Sequence, residues 1–265
     1  MFLIKKVKNT SISNLSPVLI QVSGGSCVGK STFIEEIKRE LGINIIVAQD
    51  NYQLGKNFAD RKTSSYKYDD PQNFQINRCY NDMQVLINGN TIEIPQFDLV
   101  ENIAQGTIKI NSQKINLLEG VYSSHHNLAT LSEFKIYIEA PYYLRFLRRI
   151  ARFVNNNQNQ DTTIPLRHMV TFVYLAHKDF VIKQKKGADL VLQSEEVLPR
   201  FLFPVSEEDL IFDTLLFQKG GIEIGICSAN KILELVIKQD KQIVYKSEIS
   251  LETKEFLSKI NWLEM

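Results

Sequence analysis

Val18-Leu19-Ile20-Gln21-Val22-Ser23-Gly24-Gly25-Ser26-Cys27-Val28-Gly29-Lys30-Ser31-Thr32-Phe33-Ile34 is the stretch that decides the fold class. Its first five residues are nearly all apolar, the pattern of a strand buried on both faces in a parallel sheet. Its end opens an amphipathic repeat, with Phe33, Ile34, Ile37 and Leu41 at helical spacing and Gly42 as the stop. Between strand and helix, Gly24-Gly25-Ser26-Cys27-Val28-Gly29-Lys30-Ser31 fits G-x-x-x-x-G-K-[ST] in full. A chance match in a chain of average composition is on the order of one per cent, and placement between a strand and a helix lowers it further. Glycines let the backbone wind tightly enough for successive N–H groups to face phosphate oxygens, and the helix start adds its positive dipole end. Gly24, Gly25, Ser26, Cys27, Val28, Gly29, Lys30, Ser31 and Thr32 are therefore the expected ATP-binding residues. Lys30 should reach the β- and γ-phosphates, and the Ser31 hydroxyl should bind Mg²⁺. The glycines do not have G-x-G-x-x-G spacing, which excludes a dinucleotide fingerprint.

Working outward, residues 43–48 read as a second buried strand, completing a strand–helix–strand unit. Residues 51–75 are polar and read as a long loop, a length that is usually functional inside a compact domain. Ile76, Cys79, Tyr80, Met83, Leu86 and Ile87 form a helical stripe closed by Gly89. Short alternating segments at 92–94 and 107–110 predict a small β-hairpin off the main sheet, and 115–118 and 134–138 predict further core strands. A helix is expected over 141–154, with Pro141 in its first turn. The polar tract Asn155-Asn156-Asn157-Gln158-Asn159-Gln160 follows, then a long helix over 165–185 and a strand at 189–192. Beyond Pro199 the texture changes to strands at 222–227, 232–237 and 243–249, with a turn at Gln239-Asp240-Lys241 and a helix over 251–262. The expected architecture is α/β: a P-loop NTPase-type parallel sheet flanked by helices, with a small β-hairpin insertion and a small α+β C-terminal extension. Its expected domains are residues 1–198 and 199–265.

Composition narrows the partners. In 265 residues, 31 Lys and Arg stand against 30 Asp and Glu, a net charge of +1, so there is no bulk field to hold nucleic acid. Cys27, Cys79 and Cys227 are too few and scattered for a disulfide framework, and none forms a CxxC pair. The first residues lack the apolar run of a signal peptide, and no run approaches a membrane span, so a cytoplasmic protein without a membrane partner is expected. The expected partner is a small-molecule acceptor; the sequence is also compatible with a homo-oligomer.

A phosphate donor needs an acceptor site. Asp50 ends the second strand, at the carboxyl edge where ligands bind in open α/β folds, and a carboxylate there can take the proton of an acceptor hydroxyl. Glu119 ends the strand at 115–118, a position from which a carboxylate supports Mg²⁺. Arg145, Arg148, Arg149 and Arg152 crowd one helix without matching acids, suiting charge that develops on a transferring phosphoryl group. His125 and His126 have no metal-ligand spacing, and Cys27 reads as a packing residue inside the loop.

Together these segments resemble the uridine kinase family, within the wider uridine kinase and phosphoribulokinase group. Ser23 to Thr32 is close to that family's loop, Ser-Gly-Gly-Thr/Ser-Ala-Ser-Gly-Lys-Ser/Thr. Gln49-Asp50-Asn51-Tyr52 is similar to Gln-Asp-Ser-Phe-Tyr, and Tyr68-Asp69-Asp70-Pro71-Gln72-Asn73-Phe74 to Phe-Asp-His-Pro-Asp-Ala-Phe. Ile94-Pro95-Gln96-Phe97-Asp98-Leu99 resembles Ile-Pro-x-Tyr-Asp-Phe, and Leu118-Glu119-Gly120-Val121 its Glu-Gly-Ile. Arg148-Arg149-Ile150-Ala151-Arg152 and Gly187-Ala188-Asp189-Leu190-Val191-Leu192 resemble Arg-Arg-x-x-Arg and Tyr-Ala-Asp-x-Ile-Ile. Order and spacing hold over residues 17–193. The resemblance implies Mg-ATP as donor, Asp50 as general base toward a ribose 5′-hydroxyl, Asp69 on the ribose, and a lid around Arg149 and Arg152 over the phosphates. It also implies Tyr52, Tyr68, Phe97 and Asn102 in the acceptor site.

The departures fall on the acceptor side. Where the family has Tyr, His and Arg for the base, this chain has Phe97, Asn102 and Ala104; where it has the His of Asp-His-Pro, this chain has Asp70. Two lid arginines are replaced by Asn157 and Asn159. A site that hydrogen-bonds its substrate discriminates strongly against analogues lacking the partner group, so these changes bear on the acceptor. The expected activity is ATP-dependent phosphoryl transfer to a hydroxyl of a small nucleoside-like metabolite, uridine or cytidine by resemblance. The alternatives are another small acceptor (another nucleoside, a pantothenate-like alcohol, a sugar phosphate) or an ATP-binding regulator whose lid is impaired.

Overall fold

A computed structural model of the chain describes residues 16–43, 46–55, 70–98, 103–156, 166, 169–202, 210–229 and 232–264. It divides into two compact units, Met1–Glu139 with Ala176–Ser194, and Ala140–Leu175 with Glu195–Met265.

The first unit is built on a five-stranded sheet of β1 (Val18–Gly24), β2 (Ile46–Ala48), β5 (Ile115–Glu119), β6 (Phe134–Glu139) and β7 (Leu190–Gln193), in the order β2-β5-β1-β6-β7. Every pair in it is parallel. The central strand β1 is apolar and sealed, with Leu19 and Val22 at 0% exposure, as a strand covered on both faces must be. Helix α1 (Lys30–Leu41) follows the phosphate loop and ends on Gly42 at φ 65, the left-handed stop that favours glycine. Helix α2 (Ile76–Ile87) buries Cys79, Met83 and Leu86. These pack with Val47, Tyr52 and Leu118 and with Ile92 and Ile94 of the two-stranded hairpin. That hairpin, β3 (Ile92–Asp98) with β4 (Ile103–Ile110), runs longer than its two short alternating segments indicate.

The second unit contains helix α3 (Tyr142–Asn156) and an antiparallel sheet of β8 (Thr214–Lys219), β9 (Ile222–Ala229), β10 (Ile232–Gln239) and β11 (Gln242–Ile249), in the order β11-β10-β9-β8, followed by helix α4 (Leu251–Lys259). Asp240 and Lys241 both take positive φ in the two-residue turn between β10 and β11, the hairpin geometry that matches strand twist. Strand β8 escapes the alternation rule, but the Gly220-Gly221 pair between Lys219 and Ile222 is the hairpin signal that marks it. Helix α4 stops at Lys259, so Trp262 lies in a turn beyond it rather than in the helix expected to 262. The regular helix expected over 165–185 is, from Met169 on, a succession of π turns, one α turn and a 3₁₀ segment ending at Gly187. Phe172, Val173, Phe180 and Val181 are weak helix formers, and nothing local enforces the regular pitch.

Candidate active site

Parallel pairing brings the chemistry-bearing residues to one edge of the first unit. Glu119, last in β5, pairs with Val22 of β1 on one side and Ala48 of β2 on the other. The phosphate loop begins two residues beyond Val22, and Asp50 stands two beyond Ala48 in the 3₁₀ turn Gln49–Tyr52. Burial pushes the Glu119 carboxyl above its ordinary pKa, the Lys30 ammonium pulls it back down, and the Asp50 carboxylate adds to the rise. Lys30, Asp50 and Glu119 therefore share one electrostatic site.

The loop is shaped by its backbone. Gly24 has φ 145, and a Cβ built on it would lie 2.2 Å from the Ile138 carbonyl oxygen. Gly29, at φ 102, opens α1 without a side-chain cap, and the first turn of that helix holds no acid. Lys30 Nζ donates to the Gly24 and Gly25 carbonyls, each at 2.9 Å. A cation, uncapped helical N–H groups and a first helical turn without acids fit a polyphosphate. Cys27, a non-glycine at φ 62, turns the chain at the tip of the loop. Ser31 is exposed in the first turn of α1, and with Glu119 it offers oxygen donors of the kind Mg²⁺ takes together with phosphate oxygens. Among the described residues no group of three His, Cys, Asp or Glu side chains could hold a metal by itself.

The Asp50 turn is held by its neighbours' side chains. Gln49, fully buried, accepts a hydrogen bond from the Tyr122 N–H at 3.2 Å. It lies so close to Gly120 that a Cβ there would meet it at 2.6 Å. Asn51 Oδ1 accepts from the Phe97 N–H at 3.1 Å. Tyr52 donates its hydroxyl to Asp82 Oδ2 at 2.8 Å and is fully buried. Its phenol is held well above its usual pKa by burial first, then by Cys79 and Asp82. Tyr52 is thus an anchor beneath the turn rather than a group presented to an acceptor, which corrects the expectation for it. Gln49 and Asn51 gain supporting positions around Asp50 that the sequence reading had not assigned them, although both lie in the segment similar to Gln-Asp-Ser-Phe-Tyr.

In the hairpin Phe97 is buried and pairs with Ala104, so two of the three positions expected to depart from the family's base-recognition pattern stand opposite each other. Asp70, in the place of the family's histidine, caps the 3₁₀ turn Pro71–Asn73 by accepting from the Gln72 N–H at 2.9 Å. Tyr68, Asp69, Asn102, Asn157 and Asn159 lie outside the described residues. Arg149 and Arg152 lie on α3 in the second unit, half-buried and exposed respectively. Their neighbours are already committed: Arg145 is buried with its guanidinium 5.5 Å from the Tyr142 ring centre, and Arg148 Nη2 donates to the Glu195 carbonyl at 2.9 Å.

Comparison with known proteins agrees with this geometry. Residues 19–198 match the family described as Phosphoribulokinase / Uridine kinase. The chain belongs to that family. The uridine kinase of Mycoplasma genitalium is 34% identical over 182 residues, covering 66% of this chain and 84% of that protein. The uridine kinase of Borreliella burgdorferi is 26% identical over 203 residues, covering 73% and 98%. The phosphoribulokinase of Rhodobacter spheroides has the same fold, with a TM-score of 0.52 at 14% identity over 67% of this chain and 70% of that one. The family member described here is an ATP-dependent kinase with the parallel sheet and phosphate loop of that fold. No helix among the described residues is long and apolar enough to cross a membrane.

Proposed function

We propose that the chain transfers the γ-phosphoryl group of Mg-ATP to a hydroxyl of a small nucleoside-like metabolite in the cytoplasm. In this reading residues 1–198 form the kinase domain and 199–265 an extension. The observation that carries it is the meeting of Lys30, Asp50 and Glu119 at one sheet edge. Lys30 and the loop amides from Gly24 to Thr32 would hold the β- and γ-phosphates, and Ser31 and Glu119 would hold the metal. The metal, when bound, neutralises charge on the phosphates. Asp50 orients the acceptor hydroxyl in line and accepts its proton. Arg149 and Arg152 offset charge developing on the transferred group. Asp69, Tyr68 and Asn102 serve the acceptor.

Phe97 and Ala104 favour a second reading of the acceptor. Facing each other in the hairpin, they offer a ring without a hydroxyl and a methyl group, so a pyrimidine loses two of its polar partners. A different small alcohol suits such a wall better. The test is ADP release from Mg-ATP across a panel of nucleosides, sugar phosphates and other alcohols, for the parent and for Asp50→Asn. Acceptor-dependent release that falls by about 10²–10⁴-fold in the variant supports Asp50 as base. Release that survives the substitution refutes it. ATP binding without turnover on any acceptor refutes the kinase reading in favour of a regulator.

A further inference from the structure

Residues 199–265 lie beyond the segment that matches the family, and no step of the phosphoryl transfer calls on them. Within the second unit they grip both ends of α3. At its start, the N–H groups of Tyr142 and Tyr143, which have no partner within a helix, donate to the carbonyls of Glu264 at 2.8 Å and Trp262 at 2.9 Å. The Trp262 ring sits edge-on to Phe146 with centres 5.3 Å apart, and 5.7 Å from the Tyr142 ring. Tyr143 stacks on Phe217 of β8 at 4.5 Å. Tyr174 donates its hydroxyl to the Glu264 carboxylate at 3.0 Å. At the far end of the helix, Asn155 donates to the Arg200 carbonyl at 3.0 Å and accepts from the Leu202 N–H at 2.9 Å. Asn155 opens the polar tract that the sequence presents as low complexity, yet both sides of its amide are used.

We infer that residues 199–265 are a splint for the arginine helix, and that Trp262 and Asn155 are positioning residues acting through Arg149 and Arg152. The inference rests on the reading of those two arginines given above. Main-chain acceptors at one end fix where the helix begins along its axis. The aromatic cluster fixes its rotation, and the Asn155 bridge keeps the last turn from fraying just beyond Arg152. A guanidinium that must meet a transferring phosphoryl group needs all three constraints, because misplacement by about an ångström can cost about a hundredfold in rate.

The experiment uses the full chain as parent, Trp262→Ala, Trp262→Phe and Asn155→Ala, with Ile243→Val on β11 as a stability control. It measures kcat and KM with the acceptor found in the panel, thermal midpoints, and amide exchange at Tyr142 and Tyr143. The expected result is a kcat lowered about tenfold or more in Trp262→Ala and Asn155→Ala, with KM within about threefold. Trp262→Phe keeps most of the rate, Ile243→Val lowers the midpoint and not kcat, and Tyr142 and Tyr143 exchange faster in Trp262→Ala. A kcat that tracks the midpoint in every variant, Ile243→Val included, overturns the splint, as does an unchanged kcat. If Trp262→Ala does not fold, Asn155→Ala decides. Should the parent release no ADP on any acceptor, the kinase reading fails separately. Exchange, which needs no substrate, still decides the splint, and unchanged rates at Tyr142 and Tyr143 sink it.

Discussion

The phosphate loop and the Asp50 turn stand at the same edge of one sheet and are built in opposite ways. The loop is made of backbone: Gly24 at φ 145 against the Ile138 carbonyl, Gly29 at φ 102 opening α1, and Lys30 folded onto two loop carbonyls. The turn is made of side chains. Gln49, Asn51 and Tyr52 reach Tyr122, Phe97 and Asp82, at separations of 73, 46 and 30 residues. A backbone-built site tolerates side-chain change but not a change of backbone freedom; a side-chain-built site does the reverse.

Gly24→Ala is the severest test of that contrast. The new methyl meets main chain, which cannot swing aside, at a φ that alanine rarely adopts. A loss of about 3 kcal/mol or more is expected from the combined clash and strain, with ATP affinity lost alongside it. Gly42→Ala is the companion: it also has positive φ, but nothing lies within 4 Å of its Cβ position. It should cost about 1 kcal/mol and leave ATP affinity unchanged. Urea unfolding and ATP titration of the two variants separate the cases. Equal losses in both would show that the loop's close approach to Ile138 is not what demands glycine.

Asn51→Ala probes the other construction. It leaves the partly buried Phe97 N–H without its acceptor, which costs about 1–3 kcal/mol, and loosens the link between the hairpin and the turn that carries Asp50. The expected outcome is about a tenfold fall in kcat/KM with the chain still folded. Asn51→Asp, which keeps an acceptor oxygen, should recover part of it. A variant with full activity would mean that Gln49 and Tyr52 suffice to hold Asp50.

How much was legible in the sequence follows the same line. The loop motif, the buried strands around it and the ends of those strands carry local, periodic signals, and the parallel sheet, Lys30, Asp50 and Glu119 follow from them. Gln49 and Asn51 are polar residues whose partners are main-chain N–H groups far along the chain, and a single sequence records no such pairing. Tyr52 reads as an acceptor contact because it lies in the segment that resembles the family's Gln-Asp-Ser-Phe-Tyr; only Asp82, one helix away, shows where its hydroxyl goes. The irregular turns from Met169 to Gly187 escaped for a third reason: apolar spacing marks a helix without fixing its pitch.

The smallest effect lies on the shoulder that Gln49 supports. Beyond Tyr122, His125 is buried, its ring edge-on to Tyr122 at 5.4 Å and 3.7 Å from that of His126. Burial, then the neighbouring His126, lowers its pKa from 6.5 to about 4. The folded form thus stays neutral where the unfolded chain already takes up a proton. Above the unfolded value both states are neutral and His125 has no effect on stability. As pH falls from there toward about 4, the unfolded state binds more protons and stability declines. His125→Phe keeps a ring against Tyr122 and removes the titration. Urea midpoints at about pH 7 and about pH 4.5 should therefore drop less in the variant than in the parent. An equal drop would place the acid sensitivity elsewhere and leave the Gln49–Tyr122 shoulder as a purely hydrogen-bonded support.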